Sequence, residues 1–244
     1  MVDFVHLHVH SQYSLLDGQA SIPRLVDKAM RDGQPGIALT DHGNMFGVKE
    51  FYNYVKKQNG KKHDKIKGLK KLLEKLEALL GSCPDISERK SQLKSEIDPL
   101  LPKIKDDEAL PEEVELYNKL KGEIDDIDSM EKEFDFSPDK ARSKIAELEA
   151  IPDFKPIIGC EVYVARRAMH LKDKEVKADL GGYHLILLAK NQTGYHNLIK
   201  IVSHAWTDGY YGRPRTDRKE LERYHEGLIC CSACLGGEVP KRIT

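Results

Sequence analysis

FVHLHVHSQYSLLDG, residues 4–18, sets His6, His8 and His10 on alternate positions of an apolar run and places Asp17 just ahead of a glycine. Side chains alternate faces along a strand, so regular extension points all three imidazoles the same way. Protonated together they repel, and buried neutral each needs a hydrogen-bond partner. Metal coordination therefore suits the cluster better than a packed core, with a hydrogen-bonded core network as the competing reading.

Working outward, this β-like run is followed by SIPRLVDKAMRDG, which has a Ser-x-Pro start, helical spacing at Leu25, Val26 and Ala29, and a stop at Gly33. PGIALTDHG reads as a second short strand, with a helix from about Met45 to Lys57 after it. The pattern resumes with strands at PIIGCEVYVA (156–165) and YHLILLA (183–189), a helix from about Thr193 to Trp206, and a strand at GLICCSA (227–233). Short apolar strands alternating with helices place the chain in the α/β class and predict a parallel sheet, open or closed into a barrel.

The stretch between these halves is rich in Lys, Glu, Asp and Leu and poor in β-branched clusters. We read 1–60 and 154–244 as two parts of one fold and 61–153 as an inserted, charged helical arm. Leu69, Leu72, Leu73, Leu76, Leu79 and Leu80 lie on one helical stripe, GSCPD breaks it, and Leu93, Ile97, Leu100 and Leu101 form a second. Pieces at Leu116–Met130 and Ala141–Leu148 follow LPEE and FSPDK, both plausible helix starts with proline in the first turn. Two to four antiparallel helices are expected. A solvated hairpin whose stripes pack on each other is preferred over an arm that contacts protein or DNA.

The chain has 244 residues, 40% of them hydrophobic, enough for a barrel-sized core. Its apolar runs are far shorter than the roughly 18 residues of a membrane helix, and no charged-then-apolar leader precedes Val5, so no membrane partner and a cytoplasmic location are expected. The five cysteines have no framework-like spacing, which argues for free or metal-bound thiols. The net charge of −1 announces no nucleic acid by itself.

Further candidate ligands lie along the predicted strands. ALTDHGNM ends a strand with Asp41 and His42, at the carboxyl edge where ligands collect in α/β folds. Glu161 sits between Cys160 and Val162, where an acid must face solvent or be paired; His184 opens the next strand and Cys234 follows the last. Imidazole, carboxylate and thiolate together suit zinc, manganese or iron better than magnesium alone. His8, His10, Asp17, His42, Glu161, His184 and Cys234 are too many for one tetrahedral site, so we expect two or three divalent metals sharing a bridging carboxylate. Asp41 is expected to orient a ligating histidine or hold the loop, or to cap the turn before Gly43.

HLHVHSQYSLLDG, LTDHGNMFG, KPIIGCEVYVA, GGYHLILLAKNQTGYHNLIKIVS and RYHEGLICCSACLGGEVP resemble, in order, the polymerase and histidinol phosphatase (PHP) domain of bacterial replicative DNA polymerase III alpha subunits. A bare His-x-His is shared with amidohydrolases and phosphatases, whereas SLLDG, TDHGN and CLGGE together look like the polymerase branch. The resemblance implies a distorted β/α barrel of seven strands with a metal cluster at the strand C-termini. It implies His8 and His10 as the first ligand pair, Asp17, His42, Glu161, His184 and Cys234 as further ligands, and His6 as a neighbour. A final Asp-x-His pair does not occur, and the chain stops at Thr244, so a truncated domain without the last barrel strands, an incomplete cluster and weakened hydrolysis are expected.

Nothing in the chain resembles the catalytic aspartates of a polymerase palm, so this segment is not expected to polymerise. For an intact domain the resemblance implies metal-dependent phosphodiester cleavage, as a proofreading 3′–5′ exonuclease, or a non-catalytic module that stabilises the polymerase and binds partner subunits. The implied partners are DNA, the rest of the polymerase chain and replisome subunits. Within DGYYGRPRTDRKELERYHEG, Tyr210, Tyr211, Arg213 and Arg215 set aromatic rings beside guanidinium groups, a composition suited to single-stranded DNA, with a solvated loop stiffened by Pro214 as the alternative.

Overall fold

The structure, a computed structural model, describes residues 4–83 and 85–243. Contacts divide the chain into two compact units, residues 1–59 with 153–244, and residues 60–152. Helix α1 (Ile22–Arg31) starts at Ser21 with proline in its first turn and buries Ile22, Val26 and Ala29. Strand β1 (Gly36–Leu39) is buried along its whole length. Helix α2 (Val48–Ser82) runs 35 residues, well past the Lys57 end expected and across residue 60. Nothing between 58 and 82 interrupts it: the segment has no proline, and its lysines, leucines and glutamates are good helix formers.

The second unit continues with α3 (Ile86–Ile97), α4 (Leu100–Lys105), α5 (Pro111–Phe134) and α6 (Pro138–Ala150). Asp85 caps α3 by accepting from the Ser87 and Glu88 amides, and Ser137 caps α6. The leucine stripes close a core of their own, with Leu76, Leu93, Phe134 and Ala141 essentially inaccessible. Leu79 and Leu80 sit about 100° apart around the helix, so only Leu79 packs on this core.

The first unit resumes with β2 (Lys155–Val164), β3 (Tyr183–Ala189), α7 (Gln192–Thr207), β4 (Arg215–Thr216), α8 (Arg218–Tyr224), β5 (Leu228–Cys231) and α9 (Glu238–Ile243). Its cores gather Ile22, Val26 and Phe51 in one cluster, and Cys160, Leu198 and Ile201 in another. The sheet is mixed, which corrects the expectation of a parallel one. β1 and β4 pair parallel with β2, whereas β3 runs antiparallel to both β2 and β5. The reason lies between β2 and β3: that connection holds only a short 3-10 turn, Lys177–Asp179, and a strand that returns without a crossover helix lies antiparallel. Among the described residues the sheet has five strands in the path β1-β2-β3-β5, with β4 beside β2. The resemblance implies a seven-stranded barrel lacking its last strands; the described residues form five strands and no closed barrel.

The opening stretch also departs from expectation, because residues 4–10 form no regular strand and bend at His8. The Ala38 amide donates to the His6 carbonyl and the Thr40 amide to the Val9 carbonyl. Two residues on β1 therefore span three on the N-terminal segment, and the extra residue breaks the alternation of faces as a bulge does.

Arg215 is fully buried at β4, where its guanidinium donates to the backbone carbonyls of Gly209 (3.1 Å), Asp179 (2.6 Å), Met169 (3.0 Å) and Leu171 (3.0 Å). Asp179 is held in turn by Arg167, whose Nε lies 2.7 Å from Oδ1. These bonds tie the 165–182 loop to the 209–217 segment.

Candidate metal centre

Glu161 anchors the centre. It lies mid-strand in β2 and is fully buried, a position that isolates a carboxylate from water unless polar groups surround it. His8 Nε2 and His10 Nε2 lie 2.7 and 2.6 Å from its Oε2, and His42 Nδ1 lies 3.5 Å from the same oxygen. His184, on β3, sits against Oε1 through Nδ1. Cys234 Sγ is 3.5 Å from that same His184 nitrogen. Asp17 Oδ2 completes the group, 2.9 Å from His42 Nε2 and 3.4 Å from His10 Nδ1.

All seven candidate ligands thus converge, and they form three overlapping triads of donor atoms. His8, His10 and Glu161 make the first, His10, Asp17 and His42 the second, and Glu161, His184 and Cys234 the third. Of the buried atoms in the set, Glu161 Oε1 meets only the His184 ring nitrogen, and His42 Nδ1, 3.5 Å from Glu161 Oε2, has no hydrogen-bond partner. Buried polar atoms are rarely left unpaired, and an imidazole nitrogen without a hydrogen-bond partner next to a buried carboxylate ringed by further imidazoles suits a set of cation ligands. The donor set of imidazole, carboxylate and thiolate fits zinc, manganese or iron.

Local structure explains how distant parts of the chain reach one point. The Asp41 carboxylate, 2% exposed, accepts from the Ser11 amide (2.6 Å), the Ser11 hydroxyl (2.8 Å) and the Ser14 hydroxyl (2.7 Å). Ser14 Oγ accepts from the His42 amide, and the Ser14 carbonyl accepts from the Asp17 and Gly18 amides. Asp41 therefore sets the 11–18 turn that carries Asp17. A Cβ on Gly18 would stand 1.8 Å from the Ser11 carbonyl oxygen, so this close turn requires glycine. His184 is backed by Gly236, whose carbonyl accepts from the His184 amide and where a Cβ would meet ring atoms at 2.9 to 3.0 Å.

The charges are matched. Burial alone pushes the Glu161 carboxyl up, but the ring nitrogens of His10, His184 and His8 outweigh it and hold the group well below the usual carboxylate range. The same contact with Glu161 raises His10 above the ordinary histidine value, against the opposing effect of burial.

Two expectations are corrected here. His6 does not neighbour the ligands: the extra residue before Val9 turns its ring to the other side, where it packs edge-on against Phe4 and lines a separate cavity with Val9 and Arg24. Arg215 is no DNA contact, since its guanidinium is consumed by backbone carbonyls, and Tyr211 packs against it. Tyr210 and Arg213, by contrast, line the cavity over the triads. Sequence reasoning missed Phe46, Tyr163 and Trp206, which line it too. The lone tryptophan near the end of a predicted helix was the one available signal.

Comparison with known proteins gives a consistent result. The PHP domain family matches residues 6–92 and 128–244. The chain is 33% identical over 242 residues to DNA polymerase III subunit alpha of Borreliella burgdorferi, covering 98% of this chain and 13% of that protein. It is 32% identical over 239 residues to the Treponema pallidum subunit and 28% identical over 242 to that of Thermus aquaticus, covering 98% of this chain and 12% of each protein. It therefore spans only about one eighth of the length of these relatives.

Proposed function

The chain belongs to the PHP domain family, and from that premise we propose that it supplies a metal-dependent phosphoesterase-type centre to a DNA polymerase III alpha subunit at work in cytoplasmic DNA replication. The observation that carries this reading is the chain of three triads that share His10 and Glu161 and leave His42 Nδ1 without a hydrogen-bond partner. His8, His10, Asp17, His42, Glu161, His184 and Cys234 would hold two or three divalent metals. Such metals supply Lewis-acid neutralisation of phosphoryl charge and a water nucleophile active near neutral pH.

The chain's own groups do the rest. Glu161 would serve two neighbouring triads, and its burial shields its carboxylate from water. Asp41 and the two serines fix the turn that presents Asp17. Tyr163 stacks on His42, centroids 6.0 Å apart, and limits the freedom of that ring. The substrate on this reading is a phosphodiester of DNA, cleaved from a 3′ end.

The test is metal content followed by hydrolysis. The reading expects about two or three zinc, manganese or iron ions per chain, with release of nucleotides from a 5′-labelled single strand and none of phosphate from histidinol phosphate. Less than about one metal per chain overturns it. Full loading without hydrolysis supports instead a structural module that stabilises the polymerase and binds partner subunits.

A further inference from the structure

The cavity over the triads, about 620 Å³, has a rim that the metal chemistry does not use. Trp206 and Tyr210 stack on each other with centroids 5.5 Å apart and planes 16° apart, yet stay 45% and 47% exposed. The Trp206 indole N–H donates to the Gly43 carbonyl at 2.7 Å, which locks the ring beside the residue that follows His42. Phe46, 68% exposed, lines the same cavity. Arg213 is exposed there too, with its guanidinium 4.9 Å above the centre of the Tyr163 ring. Among the described residues it forms no ion pair.

Phe51 and Phe134 are buried, whereas three aromatic rings stand about half in water around this one mouth, a clustered apolar surface of the kind that marks a ligand site. A stacked indole and phenol offer a flat face at low conformational cost, and every nucleobase can stack there whatever its sequence. A guanidinium free of carboxylates beside it suits a phosphate. An apolar protein segment would cover the rings but leave Arg213 without an anion.

We propose that Trp206, Tyr210 and Phe46 form a stacking platform for a nucleobase and that Arg213 takes a phosphate of the same strand. The centre then selects nucleoside phosphodiesters over phosphates of small alcohols. This rests on the phosphoesterase reading of the centre and adds its substrate subsite.

Trp206 is the sole tryptophan of the chain, so its fluorescence reports the platform directly and independently of hydrolysis. A short thymidine strand with hydrolysis-resistant phosphorothioate linkages is titrated into the full 244-residue chain, both chelated and manganese-loaded. The expected result is quenching that saturates, with affinity about tenfold lower in Tyr210→Ala and in Arg213→Ala and little changed in Tyr210→Phe, which keeps the ring. An abasic strand of equal length is expected to bind at least about tenfold more weakly. Absence of quenching in both states, equal affinity of the abasic strand, or wild-type affinity in Tyr210→Ala overturns the platform. Intact metal loading without quenching removes the platform alone, whereas quenching in a chain that binds no metal removes the phosphoesterase reading alone.

Discussion

Glu161 Oε2 lies 2.6 Å from His10 Nε2, and these two residues are the ones that each serve two of the three donor triads. Replacing either therefore removes more of the centre than replacing a ligand that serves one triad. Glu161→Gln keeps the size of the side chain but removes the charge that offsets the cations, and it is expected to lower metal content by about two ions per chain. His8→Ala is expected to lower it by about one. Elemental analysis of both variants, with circular dichroism to check the fold, decides this.

Gly236 backs the His184 ring so closely that a methyl group would stand 2.9 to 3.0 Å from three ring atoms. Gly236→Ala is expected to displace the ring from Glu161 and Cys234 and to release about one metal ion per chain, with the helical signal unchanged. Retention of the full metal content would show that the loop yields instead.

Arg215 is the largest fully buried side chain among the described residues and spends its donors on four backbone carbonyls. Removing the guanidinium strands those acceptors, so Arg215→Met is expected to cost about 3 kcal/mol or more in urea unfolding. Arg215→Lys is expected to recover little, because a single ammonium cannot reach four carbonyls held in a planar fork.

Asp179 responds to acid. Its hydrogen bond from Arg167, opposed by burial, lowers its pKa below the ordinary aspartate value. A group with a depressed folded pKa contributes stability above its unfolded value of about 4 and loses it as pH falls through the folded one. Thermal melts over that acid range are expected to show a fall in melting temperature that is smaller in Arg167→Met, where the pairing is already gone.

Phe134 is 1% exposed in the core of the inserted unit. Phe134→Ala is expected to destabilise that unit by about 3–5 kcal/mol in denaturant unfolding. Metal content is expected to stay unchanged, because every triad residue belongs to the other unit.

The local elements were readable in the sequence because local rules make them. Proline in the first turn and helical spacing marked α1, α5 and α6, and short apolar runs marked β1, β2, β3 and β5. The donor types were readable too, since imidazole, carboxylate and thiolate groups recur along or beside the predicted strands. The length of α2 was not, because a helix that starts in one unit continues wherever nothing breaks it.

By itself the sequence determined which donors are available and on which elements they lie. Only the tertiary structure decided which of them meet. Alternation predicted that His6 shares a face with His8 and His10, but one extra residue opposite β1 turns it away. Charge and aromatic neighbours put Arg215 beside Arg213 as equals, but burial gave one to the backbone and left the other at the cavity mouth. Register and burial depend on contacts between residues far apart in the chain, such as those linking 6–9 to 38–40 and 215 to 169–179, and no local pattern encodes them.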